Sequence, residues 1–178
     1  ANDGFGFKSQ TSATVTITLT GVNDLPTVSD IAVTAVEDGD AVVGNFLGDD
    51  VDNDDNLATL TYTIVNDLAT GEGSVIINSP DGTTFTFDPG SDFQDLPQGE
   101  TRDVTFTYKA TDSQNEDSLV DGIVTITVTG VNDLPIAVDD IRIVEQNVVT
   151  TEGAAGVLTN DDDLDIDGNL EKVLPKDI

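Results

Sequence analysis

Apolar and polar residues alternate with a period of two along much of this chain. Residues 14–20 read Thr-Val-Thr-Ile-Thr-Leu-Thr, placing Val15, Ile17 and Leu19 on one face and threonines on the other. The stretches 60–64, 83–87, 104–108 and 123–129 do the same, with β-branched and aromatic residues facing one way. That period and composition mark half-buried β-strands. Asp38-Gly39, Asp81-Gly82, Asp88-Pro89-Gly90, Gly99 and Asp121-Gly122 separate the runs as turns. No stretch carries a helical stripe.

The segment Thr20-Gly21-Val22-Asn23-Asp24-Leu25-Pro26 returns as Thr129-Gly130-Val131-Asn132-Asp133-Leu134-Pro135, an offset of 109 residues (130 − 21). Its strand lead-in repeats too, as does Ala1-Asn2-Asp3 in the form Ala110-Thr111-Asp112. A period near 100 residues is too long for a solenoid repeat and fits a whole domain. Between the two copies the pattern predicts about seven strands, near 28–36, 41–47, 58–66, 73–78, 83–88, 101–110 and 120–129. Seven short antiparallel strands in about 100 residues describe an all-β, immunoglobulin-like sandwich. Its predicted core is Val33, Val43, Phe46, Leu60, Tyr62, Ile64, Ile76, Phe85, Phe87, Val104, Phe106, Tyr108, Val124, Ile126 and Val128. The expected organisation is a tandem array. Residues 1–24 end one unit, 25–133 form a complete unit, and 134–178 begin the next. The absence of an initiator Met fits a piece of a longer chain.

The 178 residues hold 35 Asp+Glu against 6 Lys+Arg, a net charge of −29, with no Cys, His, Met or Trp. Disulfides, thiol chemistry and the usual zinc and copper ligands are therefore excluded. Carboxylates and carbonyls remain, and these suit a hard cation such as Ca²⁺. The charge argues against nucleic acid or an anionic membrane as a direct partner, and no apolar run is long enough for a membrane-spanning helix.

The acids gather in loops: Asn23-Asp24, Glu37-Asp38, residues 49–55, Asp112 with Glu116 and Asp117, Asn132-Asp133, Glu145, and residues 161–167. Asp50/Asp52/Asp54 align with Asp163/Asp165/Asp167. Carboxylates at alternate positions of a tight loop converge on one cation, as in the first half of an EF-hand loop. Here position twelve is Thr61 or Leu174 instead of Glu, so neither loop is an EF-hand, and Glu37 and Glu145 are the candidate closing ligands. Five Asp within residues 49–55 repel one another, each close pair by about 1 kcal/mol or more near a surface. A divalent ion reverses that sign. A merely solvated acidic surface is the alternative, and it needs no twofold D-x-D-x-D spacing.

The chain resembles the cadherin-like tandem repeats of bacterial surface proteins, including the extender regions of large RTX adhesins. Cadherins join domains with a D-x-N-D-N-x-P-type linker, and Gly21-Val22-Asn23-Asp24-Leu25-Pro26 and its copy are similar, with Leu replacing the second Asn. An early Glu, a central D-x-D and a late A-x-D also occur in cadherin order, as Glu37, Asp52-Asn53-Asp54 and Ala110-Thr111-Asp112. The resemblance implies junction calcium held by residues of both neighbouring units. Carried over, Asn23 and Asp24 act with Asp3 at the first junction; Glu37, Asp50, Asp52, Asp54 and Asp112 complete that site or face the other end. At the second junction Asn132 and Asp133 act with Asp112, Glu145, Asp163, Asp165 and Asp167. The implied role is an extracellular, calcium-stiffened spacer of a secreted adhesin, supporting surface adhesion and biofilm formation. Its partners are then the neighbouring repeats, with glycans or cell-surface proteins reached through distal domains. A calcium-dependent carbohydrate-binding module is the second reading, although the chain has no Trp, two Tyr and seven Phe that mostly alternate inward. Paired carboxylates abound, but with no His, Cys or nucleophile motif an enzyme is not expected. Phe5 and Phe7 are read as loop or core-edge residues.

Overall fold

The computed structural model describes residues 4–8, 11–80, 82–141, 146–147, 158 and 160–165. Among the described residues nine strands form: β1 Thr27–Val28, β2 Ile31–Val36, β3 Val42–Asn45, β4 Gly48–Asp49, β5 Thr61–Asn66, β6 Ser74–Ile77, β7 Thr84–Asp88, β8 Thr101–Thr111 and β9 Gly122–Thr129. They build a four-stranded sheet in the order β2-β9-β8-β5, a three-stranded sheet β3-β7-β6, and the small pair β1-β4. Among the described residues no helix is long and apolar enough to cross a membrane. This is an all-β sandwich of immunoglobulin-like type, with the expected strand at 28–36 split in two and a short additional strand, β4, just beyond the expected strand at 41–47. Ser29-Asp30 separates β1 from β2, and Phe46-Leu47 separates β3 from β4.

The core lies between the two main sheets. Phe46 is fully buried at its centre, with ring centroids 4.9 Å from Tyr62, 5.2 Å from Phe85 and 4.8 Å from Tyr108. Phe87, Phe106, Val124, Ile126 and Val128 fill the layer around it. The Tyr108 hydroxyl donates to the Ser29 carbonyl (2.6 Å), has the Leu47 carbonyl within reach of the same proton (2.9 Å) and accepts from the Leu47 amide (3.3 Å), tying β8 to the connections beside β1 and β4. Burial is the main cause that pushes the Tyr62 phenol up to about 12, with Tyr108 adding to it.

The structure corrects several expectations. Residues 14–20 are exposed and form no strand, although they carry the pattern of β9. Val43 and Ile76 point outward, at 60% and 62% exposure. On β3 the inward position after Val42 is Gly44, because the Phe85 ring fills the space where a side chain would stand: a Cβ there would lie 2.2 Å from it. On β6 the inward residues are Val75 and Ile77. Ala35, Phe93, Leu96 and Ala110 join the core unanticipated. One strand pair also departs from a purely antiparallel sandwich. β2 runs parallel to β9, from Ile31↔Val124 to Val36↔Thr129.

Candidate metal centre

The parallel pairing determines where the acids meet. Because β2 and β9 run the same way and end in register, Glu37 and the chain from Gly130 onward emerge side by side. The Glu37 amide donates to the Thr129 carbonyl (3.1 Å), and the Val131 amide donates to Glu37 Oε1. Gly130 threads beneath the loop after β7: its amide donates to Glu100 O (2.9 Å), and its carbonyl accepts from Gly99 (3.0 Å). A Cβ at position 130 would stand 2.3 Å from the Leu96 and Pro97 carbonyl oxygens, so the linker's first residue has to be Gly.

Beyond the linker, Ile136 and Asp162 exchange two backbone hydrogen bonds (2.7 and 3.0 Å), which corresponds to the Thr27↔Asp49 pairing at the start of the repeat. This places the acidic loop of the following segment against the linker. The Asp133 amide donates to Asp165 Oδ2 (3.0 Å), and the Asp165 amide to Asp163 Oδ1 (3.3 Å).

Glu37, Asp133 and Asp165 thereby converge, each offering a carboxylate oxygen within 4.8 Å of the others. Glu37 is completely buried and Asp165 is 3% exposed. Backbone amides take one oxygen of Glu37 and one of Asp165. Glu37 Oε2, Asp133 Oδ2 and Asp165 Oδ1 are buried without a hydrogen-bond partner. Anionic oxygens in that state are strongly unfavourable unless something positive holds them. Accordingly burial raises the Glu37 carboxyl above its ordinary value, outweighing the Val131 hydrogen bond, with Asp133, Asp38 and Asp165 adding to the rise. Burial, then Asp38, Asp165 and Asp163, raises Asp133 as well.

The donor set fits calcium. All three groups are hard oxygen donors, and oxygens bound at about 2.3–2.6 Å on opposite sides of Ca²⁺ lie about 4.6–5.2 Å apart. Three oxygens that all lie within 4.8 Å of one another are close enough to share one such ion. Carbonyls and water would complete the shell.

The first junction repeats the local pattern. The Asp24 amide donates to Asp52 Oδ2 (2.8 Å), the Asp52 amide to Asp50 Oδ1 (2.9 Å), and Asp50 Oδ2 is buried without a partner. The Asn23 side-chain amide donates to Asp112 Oδ2 (2.9 Å), and Asp112 Oδ1 accepts from the Gln114 and Glu116 amides. The Asn23 hydrogen bond is the main cause holding Asp112 below the usual carboxylate range.

Of the residues read from sequence, Asn23, Asp24, Asp50, Asp52 and Asp112 lie together at the first junction, and Asp112 is not at the second. Glu37, Asp133, Asp163 and Asp165 lie together at the second junction. Asp54 is exposed and accepts from the Gln114 side chain (3.0 Å), while exposed Asn132 donates to the Asp133 carbonyl. Asp3, Glu145 and Asp167 lie outside the described residues. Phe5 and Phe7 are exposed. Sequence reading did not single out Asp55, which is buried and accepts from the Ser113 amide (3.1 Å) and hydroxyl (2.9 Å). It fastens the acidic loop to the loop after β8. Its only signal was its place in the acidic run.

A sandwich whose terminal strands run parallel into a carboxylate cage at a repeated G-V-N-D-L-P joint defines a cadherin-like class of repeat. Residues 23–130, over half of the chain, match the model of the bacterial cadherin-like domain, and the chain belongs to that family. Among solved structures it is similar to the human CDH23 EC21-23 fragment, with 20% identity and a TM-score of 0.46, over 64% of this chain and 38% of that one. It is also similar to a nucleoside hydrolase-related hypothetical protein from Saccharophagus degradans associated with carbohydrate metabolism. There the identity is 15% and the TM-score 0.34, over 61% of this chain and 26% of that one. The chain thus spans well under half the length of either structure. No curated protein matches it.

Proposed function

We propose that this chain is a calcium-stiffened extender repeat of a large secreted bacterial surface adhesin of the RTX type. It would act outside the cell in adhesion and biofilm formation. The unit is the stretch 25–133, and its immediate partners are the repeats before and after it. Distal domains would engage glycans or cell-surface proteins. Domains of this kind are typically adhesive or structural rather than enzymatic.

The observation that carries the reading is the trio of buried, unpartnered oxygens of Glu37, Asp133 and Asp165. Two of these residues precede the acidic loop of the next segment and one belongs to it, so a cation held by all three fixes the joint. Without it, like charges repel across the joint and the linker is free to bend.

Calorimetric unfolding of the chain with excess calcium and with chelator tests this. An ion that binds only the folded state adds about 2.7 kcal/mol at one hundred times its Kd, which raises Tm by about 10 °C for a domain of this size. An unchanged Tm would refute the reading.

A further inference from the structure

We infer that the free edge of β6 docks an extended segment of a partner protein. That segment is apolar and β-branched along its length and basic at its C-terminal end, and it joins the sheet as an antiparallel strand. Neither the edge nor its chemistry depends on the calcium reading above.

β6 is the outermost strand of the sheet β3-β7-β6 and pairs with β7 alone. Its register runs Ser74↔Asp88, Val75↔Phe87, Ile76↔Thr86 and Ile77↔Phe85, and just beyond it the Asn78 amide donates to the Thr84 carbonyl (2.9 Å). Hydrogen-bonded pairs alternate along an antiparallel ladder. Ser74, Ile76 and Asn78 therefore turn their backbone groups toward β7, while Val75 and Ile77 turn theirs away. The amides and carbonyls of those two residues form the row that an added strand needs.

Folded proteins guard such an edge with a charge, a proline or a bulge. β5, at an edge of the other sheet, has one: its register shifts between Ile64 and Asn66, and Thr107 accepts from the Asn66 amide (3.2 Å). β3, the other edge of the β6 sheet, touches β2. β6 is in register throughout, and residues 73–80 carry no charge.

The side chains set what the strand must be. Val75 and Ile77 pack against the core and are only half-buried, so the core ends at them on this side. Ile76 points the other way at 62% exposure, in a cross-sheet row with Thr86 and with Val43. A strand laid beside β6 would extend the core with two apolar side chains and set a third against Ile76. The Ser74 end asks for something else. Asp88 stands opposite Ser74, Glu72 lies two residues before it, and the Asp92 carboxylate accepts from the Gly73 amide (2.8 Å). Arg102, the basic residue that feels Glu72, is held by both oxygens of Asp95 (3.1 and 2.8 Å). An antiparallel partner brings its C-terminal residues to this end, where Lys or Arg meets those carboxylates. The same charge disfavours a second copy as occupant: with 6 Lys+Arg and a net charge of −29, two chains repel.

The probe is a fluorescent, acetylated and amidated peptide, Thr-Val-Val-Val-Thr-Lys-Lys, whose residues fall opposite positions 78 down to 72. It is titrated into the full chain at about 0.15 M salt and followed by anisotropy. The control, Lys-Lys-Thr-Val-Val-Val-Thr, has the same composition with the basic end reversed. The first peptide should bind roughly tenfold more tightly or better, and the amide resonances of Val75 and Ile77 should shift on binding. Equal affinities would mean adhesion to an acidic surface and would overturn the site, as would no binding by either peptide. Ile76→Asp, at an exposed position, removes an apolar contact and adds a negative charge. Docking on the edge predicts a roughly tenfold loss of affinity, whereas binding by charge alone predicts a gain. Val75→Pro deletes an amide that β7 does not use and should abolish binding. If sedimentation shows the chain pairing with itself through the same amides, a second copy is the occupant and the basic segment is overturned.

Discussion

Glu37 illustrates how one side chain can serve two structural ends. One carboxylate oxygen fixes the linker through Val131, and the other faces Asp133 and Asp165 without a protein partner. Glu37→Gln keeps an acceptor for Val131 and removes the charge. Calcium affinity at this joint should fall roughly 10- to 100-fold or more, since even indirect support of a metal ligand has effects of that size. In chelator the same substitution should leave Tm unchanged or higher, because it relieves a buried, like-charged cluster. A titration and two melting curves check both signs. A substitution that lowered stability equally with and without calcium would make Glu37 a linker anchor only.

At the scale of elements, the alternation of apolar and polar residues was enough to locate the strands, because a half-buried strand leaves a period of two. It failed where the outcome depended on partners. Residues 14–20 carry the same alternation as β9, yet β9 is a strand through its bonds to β2 and β8. Val42-Val43-Gly44 looked like a place to bury Val43. The Phe85 ring, contributed from 41 residues away (85 − 44), occupies the Gly44 side and turns Val43 outward. Gly44→Ala should therefore destabilise the repeat by about 1–3 kcal/mol through overpacking, measurable as a lower denaturation midpoint in calcium and in chelator alike. The acids were legible by type and spacing. Their grouping was not: the meeting of Glu37 with Asp133 depends on the parallel pairing of strands 93 residues apart (124 − 31).

For the whole molecule the dominant fact is a net charge of −29. Glu37 and Asp133 titrate above their ordinary values of 4.5 and 3.8 in the absence of an ion. A carboxyl raised on folding contributes stability that is complete below its unfolded value and is lost as pH rises through the folded one. In chelator the protein should thus melt at lower temperature as pH rises from about 4 to about 7. In calcium the slope should reverse, because the ion requires both carboxyls ionised and protons compete for them. Two Tm-versus-pH series with the same slope would count against the cage.

The cage draws Glu37 from the start of a unit, Asp133 from its end and Asp165 from the segment that follows. No unit can therefore complete its exit cage by itself. In the array proposed above, a joint would therefore stay open until both units that share it are present, so that ion uptake would report the pairing of neighbours and not the folding of either one.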